Sequence, residues 1–168
     1  MANVQSIEGD VLIRGALRVT GTVTMGAGSI QDGAVNAAAD LQYSKLQHQH
    51  RPVYRQESET TAAAEQQTIH VVVGATGTLL SVKAGCVTPC AGNATITVDL
   101  LVNGASVLDS ACIELSSAEA AYELLAGSID DTALEVGDVI EIDVAVDAGT
   151  GTLGEGLFCV VDLSEAAI

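Results

Sequence analysis

Gly9, Gly15 and Gly21 fall six residues apart, and the positions between them alternate in character. Val11 and Ile13, Leu17 and Val19, and Val23 and Met25 occupy the odd positions, and Ile7 extends the pattern upstream. Written as hexads, the segment reads QSIEGD, VLIRGA, LRVTGT, VTMGAG, with the last unit departing at Gly26 and Gly28. Residues two apart share one face of a strand, so the alternation predicts strand with one buried side. Glycine at a fixed step inside such a pattern marks a recurring bend or a close backbone approach. Six-residue repeats point to a β-helical stack. This stretch, Gln5 to Gly28, completes little more than one coil and buries almost nothing by itself. The missing interior must come from other chains. Three copies around one axis, each supplying a wall, would form a trimeric β-prism or triple β-helix over residues 1–30. Ile7, Val11, Ile13, Leu17, Val19, Val23 and Met25 would then form the trimer interface. The alternative is an ordinary hairpin packed on the main domain.

The rest of the chain must bury a core without aromatic help. Its only aromatic residues are Tyr43, Tyr54, Tyr122 and Phe158, yet 48% of all residues are hydrophobic. A length of 168 residues suits one domain, or one domain with an appendage. The formal charge of −16 argues against binding to free nucleic acid, which needs clustered cations. That charge is unevenly spread. Residues 1–56 hold Arg14, Arg18, Lys45, Arg51 and Arg55 against Glu8, Asp10, Asp32 and Asp40. Beyond them Lys83 alone faces 18 carboxylates. A near-neutral first part and a self-repelling acidic second part suggest two different surroundings. A membrane span needs about 20 apolar residues. The charge-free run from Ala84 to Val98 is shorter and holds Pro89 and Asn93. Residues 1–20 lack the order of a signal peptide, because Glu8, Asp10, Arg14 and Arg18 interrupt the apolar positions. The expectation is therefore a soluble protein made in the cytoplasm.

Residues 31–56 read as an extended arm with one short helical stretch over 37–46. His48-Gln49-His50 places two imidazoles on one side of a strand. In a threefold assembly six such rings could surround a metal ion, but a hydrated polar spacer is the preferred reading. Cys86, Cys90, Cys112 and Cys159 lack the spacing of a zinc site, and small buried residues in strands are the expectation, with one disulfide open as an alternative.

Residues 57–168 alternate between β-rich runs and turn signals. The runs are 68–73, 78–82, 94–102, 106–115, 122–129, 139–146 and 157–163, and such spacing argues for an antiparallel β-sandwich or jelly roll. Asn103-Gly104 is the strongest turn, a two-residue type I′ hairpin. Ile96, Val98 and Leu100 should face the core, as should Ile140, Ile142, Val144 and Val146. Ser116-Ser117-Ala118-Glu119 resembles a capping box, so 116–125 is either a short helix or a loop. The fold expected is all-β: a trimeric hexad-repeat β-helical or prism segment, an extended arm, and a jelly-roll-like antiparallel β-sandwich.

Catalytic motifs are missing. There is no G-x-S-x-G, and His70 lies within a β-rich run, where a half-exposed strand position is the plain reading. The glycine-rich stretch 148–156 has no G-K-[ST] to reach phosphates. Asp130, Asp131, Asp138 and Asp147 sit in turn signals without the spacing of a calcium loop. No catalytic, cofactor-binding or metal-binding residue is expected, and the chain reads as non-enzymatic.

The opening GDVLIRGALRVTG, the arm ending KLQHQHRPVYRQ and the stretch LEVGDVIEIDV together resemble tailed-phage virion proteins, most nearly trimeric head decoration (cement) proteins and head fibres. The resemblance implies a virion protein on the outer capsid surface, made in the host cytoplasm. It implies a homotrimer bound to the major capsid protein, with no nucleic-acid or membrane partner. Arg14, Arg18, Lys45, Arg51 and Arg55 are the expected capsid contacts. Three arms on one head would bind with avidity. The alternative is a trimeric tail or head fibre whose sandwich binds a receptor.

Overall fold

A computed structural model describes residues 48–166, apart from Ala75 and Ser110. The glycine hexads, the trimer interface read from Ile7 to Met25, the helical stretch at 37–46, and Arg14, Arg18 and Lys45 lie outside the described residues.

The described residues form an antiparallel β-sandwich without helix. One sheet has six strands. Its two central strands are β4 (Thr76–Thr88) and β11 (Glu155–Glu165). Outside β11 lie β1 (His48–His50) and β2 (Val53–Arg55), and outside β4 lie β8 (Leu125–Gly127) and β9 (Ala133–Glu135). The five-stranded sheet runs β3 (Glu65–Val71), β10 (Val139–Asp147), β5 (Thr95–Val102), then β6 (Ala105–Ser106) and β7 (Ile113–Leu115) beside β5. Each sheet is thus four positions wide, with β1 and β2, β6 and β7, and β8 and β9 each sharing one position. From one position to the next the chain changes sheet except at the turn from β5 to β6. This wrapped order is that of a jelly roll.

The Asn-Gly turn forms as its sequence requires. Asn103 and Gly104 take φ of 52° and 79°, and Val102 pairs directly with Ala105. Both central residues of a type I′ turn need positive φ, which explains the dipeptide. Asn103 also ties the turn to the neighbouring corner. Its Nδ2 donates to Asp138 Oδ1 (2.7 Å), and its Oδ1 accepts from the Val139 N–H (3.0 Å). Asp138 accepts from the Glu135 N–H as well, and these two bonds hold its carboxyl below the ordinary carboxylate range.

The two cleanest alternations behave as expected. Ile96, Val98 and Leu100 on β5 and Ile140 and Ile142 on β10 are fully buried, and Val144 nearly so. They face Leu79 and Val82 of β4 and Leu157, Cys159, Val161 and Leu163 of β11 across an aliphatic core. Tyr54 on β2 is the aromatic residue buried in it.

Other boundaries differ from the sequence reading. β4 runs through Gly85 to Thr88, where a turn was expected, because β11 continues alongside it from Leu157 opposite Cys86 to Glu155 opposite Thr88. Gly85 serves a close approach instead: a Cβ there would sit 2.2 Å from the Glu123 carbonyl oxygen. The expected strand 106–115 breaks into β6 and β7, since Leu108 leaves to bridge Ile129 of the other sheet's strand region. The run 122–129 is strand only over β8, and β9 was not foreseen. At 116–119 the capping-box contacts form, with Glu119 accepting from the Ser116 N–H and hydroxyl, but turns follow rather than a helix. The residues 48–55, read as the end of the arm, are strands paired to β11.

Replacing Gly104 with Ala should lower the unfolding free energy by roughly 1–2 kcal/mol through backbone strain, because nothing lies within 4 Å of the added Cβ. Leu100→Ala, in the fully buried core, should cost about 2–5 kcal/mol. Urea unfolding followed by circular dichroism measures both, and equal effects would contradict the packing described.

Candidate functional site

At one edge of the sandwich β1 faces β3 across the gap between the sheets. The pairing of β1 with β11 sets His48 opposite Glu165 and His50 opposite Leu163. Along β11 the core-facing positions are Leu157, Cys159, Val161 and Leu163, and one more step of the alternation places Glu165 on the same buried face. Its carboxylate, 2% exposed, is the only buried charged side chain among the described residues. From the opposite sheet, β3 contributes His70.

These groups meet closely. His70 Nε2 donates to Glu165 Oε1 at 2.6 Å, and His50 Nε2 lies 3.8 Å from the same oxygen. The two imidazole rings are tilted against each other with centroids 5.0 Å apart. The second oxygen, Oε2, accepts from the Gly74 N–H at 2.7 Å and the Val73 N–H at 3.3 Å. Gly74 permits that contact, since a Cβ there would lie 2.9 Å from Oε2 and 2.8 Å from the Ala166 carbonyl oxygen. His48 is next along β1, its ring centroid 6.3 Å from that of His50.

Burial by itself would push the Glu165 carboxyl upward. The His70 bond, the two backbone N–H groups and the nearby His50 outweigh it, and the net effect is a lowered pKa. Glu165 is therefore an ionised carboxylate, held between two imidazoles and two amides. Such a group can accept a hydrogen bond from His70 or share a cation with both rings.

Beside the cluster an open groove of about 460 Å³ is lined by Gln49, His50, Arg51, Leu80, Asp162 and Leu163. Arg51 donates to Asp162 Oδ1, and Ser81 Oγ donates to Asp162 Oδ2 at 2.8 Å. Those two bonds, Arg51 first, lower the Asp162 carboxyl. A second clasp holds the same edge further along. Tyr54 Oη donates to Glu65 Oε2 at 3.1 Å and accepts from Gln56 Nε2 at 2.7 Å. Burial, partly offset by Gln56, pushes the Tyr54 hydroxyl up to about 12.

The cysteines are free thiols. Cys86, Cys90 and Cys159 are buried as expected, whereas Cys112 is exposed. Burial pushes Cys86 up to about 11 and Cys159 to about 12, which leaves them unreactive. The turn carboxylates brace the backbone: Asp131 accepts from the Ala133 N–H and Asp147 from the Gly149 N–H. Of the arginines expected to contact a capsid, Arg51 is engaged by Asp162 and Arg55 is exposed on β2 opposite Phe158. The His50–His70–Glu165 grouping was not foreseen. Its one sequence signal is the alternation of β11, which continues onto a glutamate. The chain matches no family model, and no characterised relative aligns with it significantly.

The lowered pKa fixes the sign of an acid effect. The carboxyl's ordinary value is 4.5, so its stabilisation is complete above that pH and fades as pH falls through the lower folded value. Glu165→Gln cannot titrate there. The difference in urea stability between native chain and variant should hold constant at neutral pH and shrink below pH 4.5. A difference that persists unchanged into strong acid would mean that Glu165 is not ionised against His70.

Proposed function

We propose that the chain is a non-enzymatic virion structural protein, a trimeric decoration protein that binds the major capsid protein and stabilises the head. The observation that carries this reading is the charge on the folded sandwich. Among the described residues 18 carboxylates accompany Arg51, Arg55 and Lys83, and Glu165 alone of the carboxylates is buried. The others cover the surface, so sandwich domains repel one another and remain in solvent. Residues 1–47, with Arg14, Arg18 and Lys45 against four acidic residues, are free of that repulsion. They hold the glycine hexads that need partner chains to complete an interior. In this reading the hexads join three chains and bind the shell, and the acidic sandwich stays in solvent. Arg14, Arg18, Lys45 and Arg55 are the shell-facing cations, since Arg51 is already paired with Asp162.

β1 and β2 are built into the sandwich, whose described residues begin at His48. The full chain should sediment as a trimer, and residues 48–168 as a folded monomer that no longer binds shells of the cognate capsid protein. Residues 57–168, which lack Tyr54 and both edge strands, should unfold at lower urea than 48–168. A monomeric full chain would refute the trimer. Binding to host cells in place of shells would favour a receptor-binding fibre.

A further inference from the structure

We propose that His50, His70 and Glu165 form a zinc site that fastens β1, β3 and β11 together at the edge of the sandwich. The inference is independent of the virion reading.

One ligand atom from each of the three side chains lies within 4.8 Å of the other two. Zinc takes imidazole nitrogen and carboxylate oxygen at about 2.0–2.2 Å, which puts neighbouring donors roughly 3 Å apart. The observed separations of 2.6 Å and 3.8 Å from Glu165 Oε1 bracket that spacing. Only small side-chain shifts are needed, and His50, 32% exposed at the strand edge, has room to make them.

The surroundings favour a ligand role for this carboxylate. Its Oε2 is held by the Gly74 and Val73 amides, which leaves Oε1 directed at both imidazoles. Outer hydrogen bonds of this kind orient metal ligands and set their basicity. A carboxylate this deeply buried is paired or coordinates a cation, and zinc, like other imidazole-binding transition metals, would use both rings at once. Two imidazoles with one carboxylate exclude calcium and magnesium, which prefer all-oxygen shells. His50 also lines the open groove, so water can complete a fourth position.

The test is calorimetric titration of the full chain with ZnCl2 after dialysis against a chelator, with thermal melting in parallel. One zinc per chain should bind and raise the Tm, and MgCl2 should do neither. His50→Gln keeps the His70–Glu165 hydrogen bond, so its melting in chelator should match the native chain. Its zinc affinity should fall on the order of tenfold or more. Glu165→Gln, checked for folding by circular dichroism, should lose the zinc-dependent rise in Tm. His48→Gln should bind as the native chain does. Absence of zinc binding, full affinity in His50→Gln, or loss in His48→Gln with retention in His70→Gln would each overturn the assignment.

Discussion

The fold depends on one reversal of the chain at Asn103 and Gly104. Starting from that turn, strand partners lie at nearly equal distances on either side: Val102 with Ala105, Lys83 with Ala126, Val71 with Val139, Tyr54 with Cys159, and His48 with Glu165. The sandwich is thus one long hairpin, and the remaining ladders, β4 with β11 and β5 with β10, arise when that hairpin rolls up. A turn needing positive φ at two successive residues admits few sequences, and Asn-Gly is the preferred one. Shifting the register by one residue would exchange the core face for the solvent face on every strand. The cross-bonds from Asn103 to Asp138 and Val139 hold the pivot against the strand that must lie beside it.

The same geometry explains why polar chemistry gathers around Glu165. The open end of the long hairpin is where the first and last strands meet, farthest from the turn that aligns them. The apolar ladder thins there. Cys159, Val161 and Leu163 give way to Glu165 on the buried face, and β3 presents His70 rather than an aliphatic residue. A buried charge of this kind contributes less to stability than a well-packed apolar group would, yet removing one partner is costly. It therefore suits a place where a defined arrangement matters more than bulk stability. The Tyr54–Glu65–Gln56 set acts in the same way further along the edge, again joining a strand of one sheet to the other sheet.

How far the sequence revealed this depended on the length of each element. Ile96 to Leu100 and Ile140 to Val144 alternate over enough residues to declare both strand and face, and Asn103-Gly104 declares its own turn. Elements of three residues carry no period to read. β9 and β8 hold their places only because β4 extends beside them, and β1 and β2 only because β11 does. The HQHRPVYR stretch, interrupted by Pro52, looks like linker until its partner is known. A sequence does not tell a glycine that turns the chain from one that admits a neighbouring carbonyl, as Gly85 does. The capping box at Ser116 shows a local signal overridden. Its hydrogen bonds form, but the chain must reach β8 within a few residues and has no length for a helix. Glu165 was legible in principle as the next step of an alternation, but His50 and His70 lie 115 and 95 residues away from it and no local pattern joins them.

The position of the cluster also bears on how the first described strand is held. β1 is the first described strand, and it sets His48 opposite Glu165. It is a strand of only three residues whose ladder bonds are few, so any load on it falls on few backbone bonds. Side-chain bonds at that point are well placed to resist it. Arg51 secures the strand to Asp162 of β11, and His70 joins Glu165 of the same strand to the opposite sheet. A short edge strand reinforced by charged side chains can resist fraying that its backbone pairing alone would not.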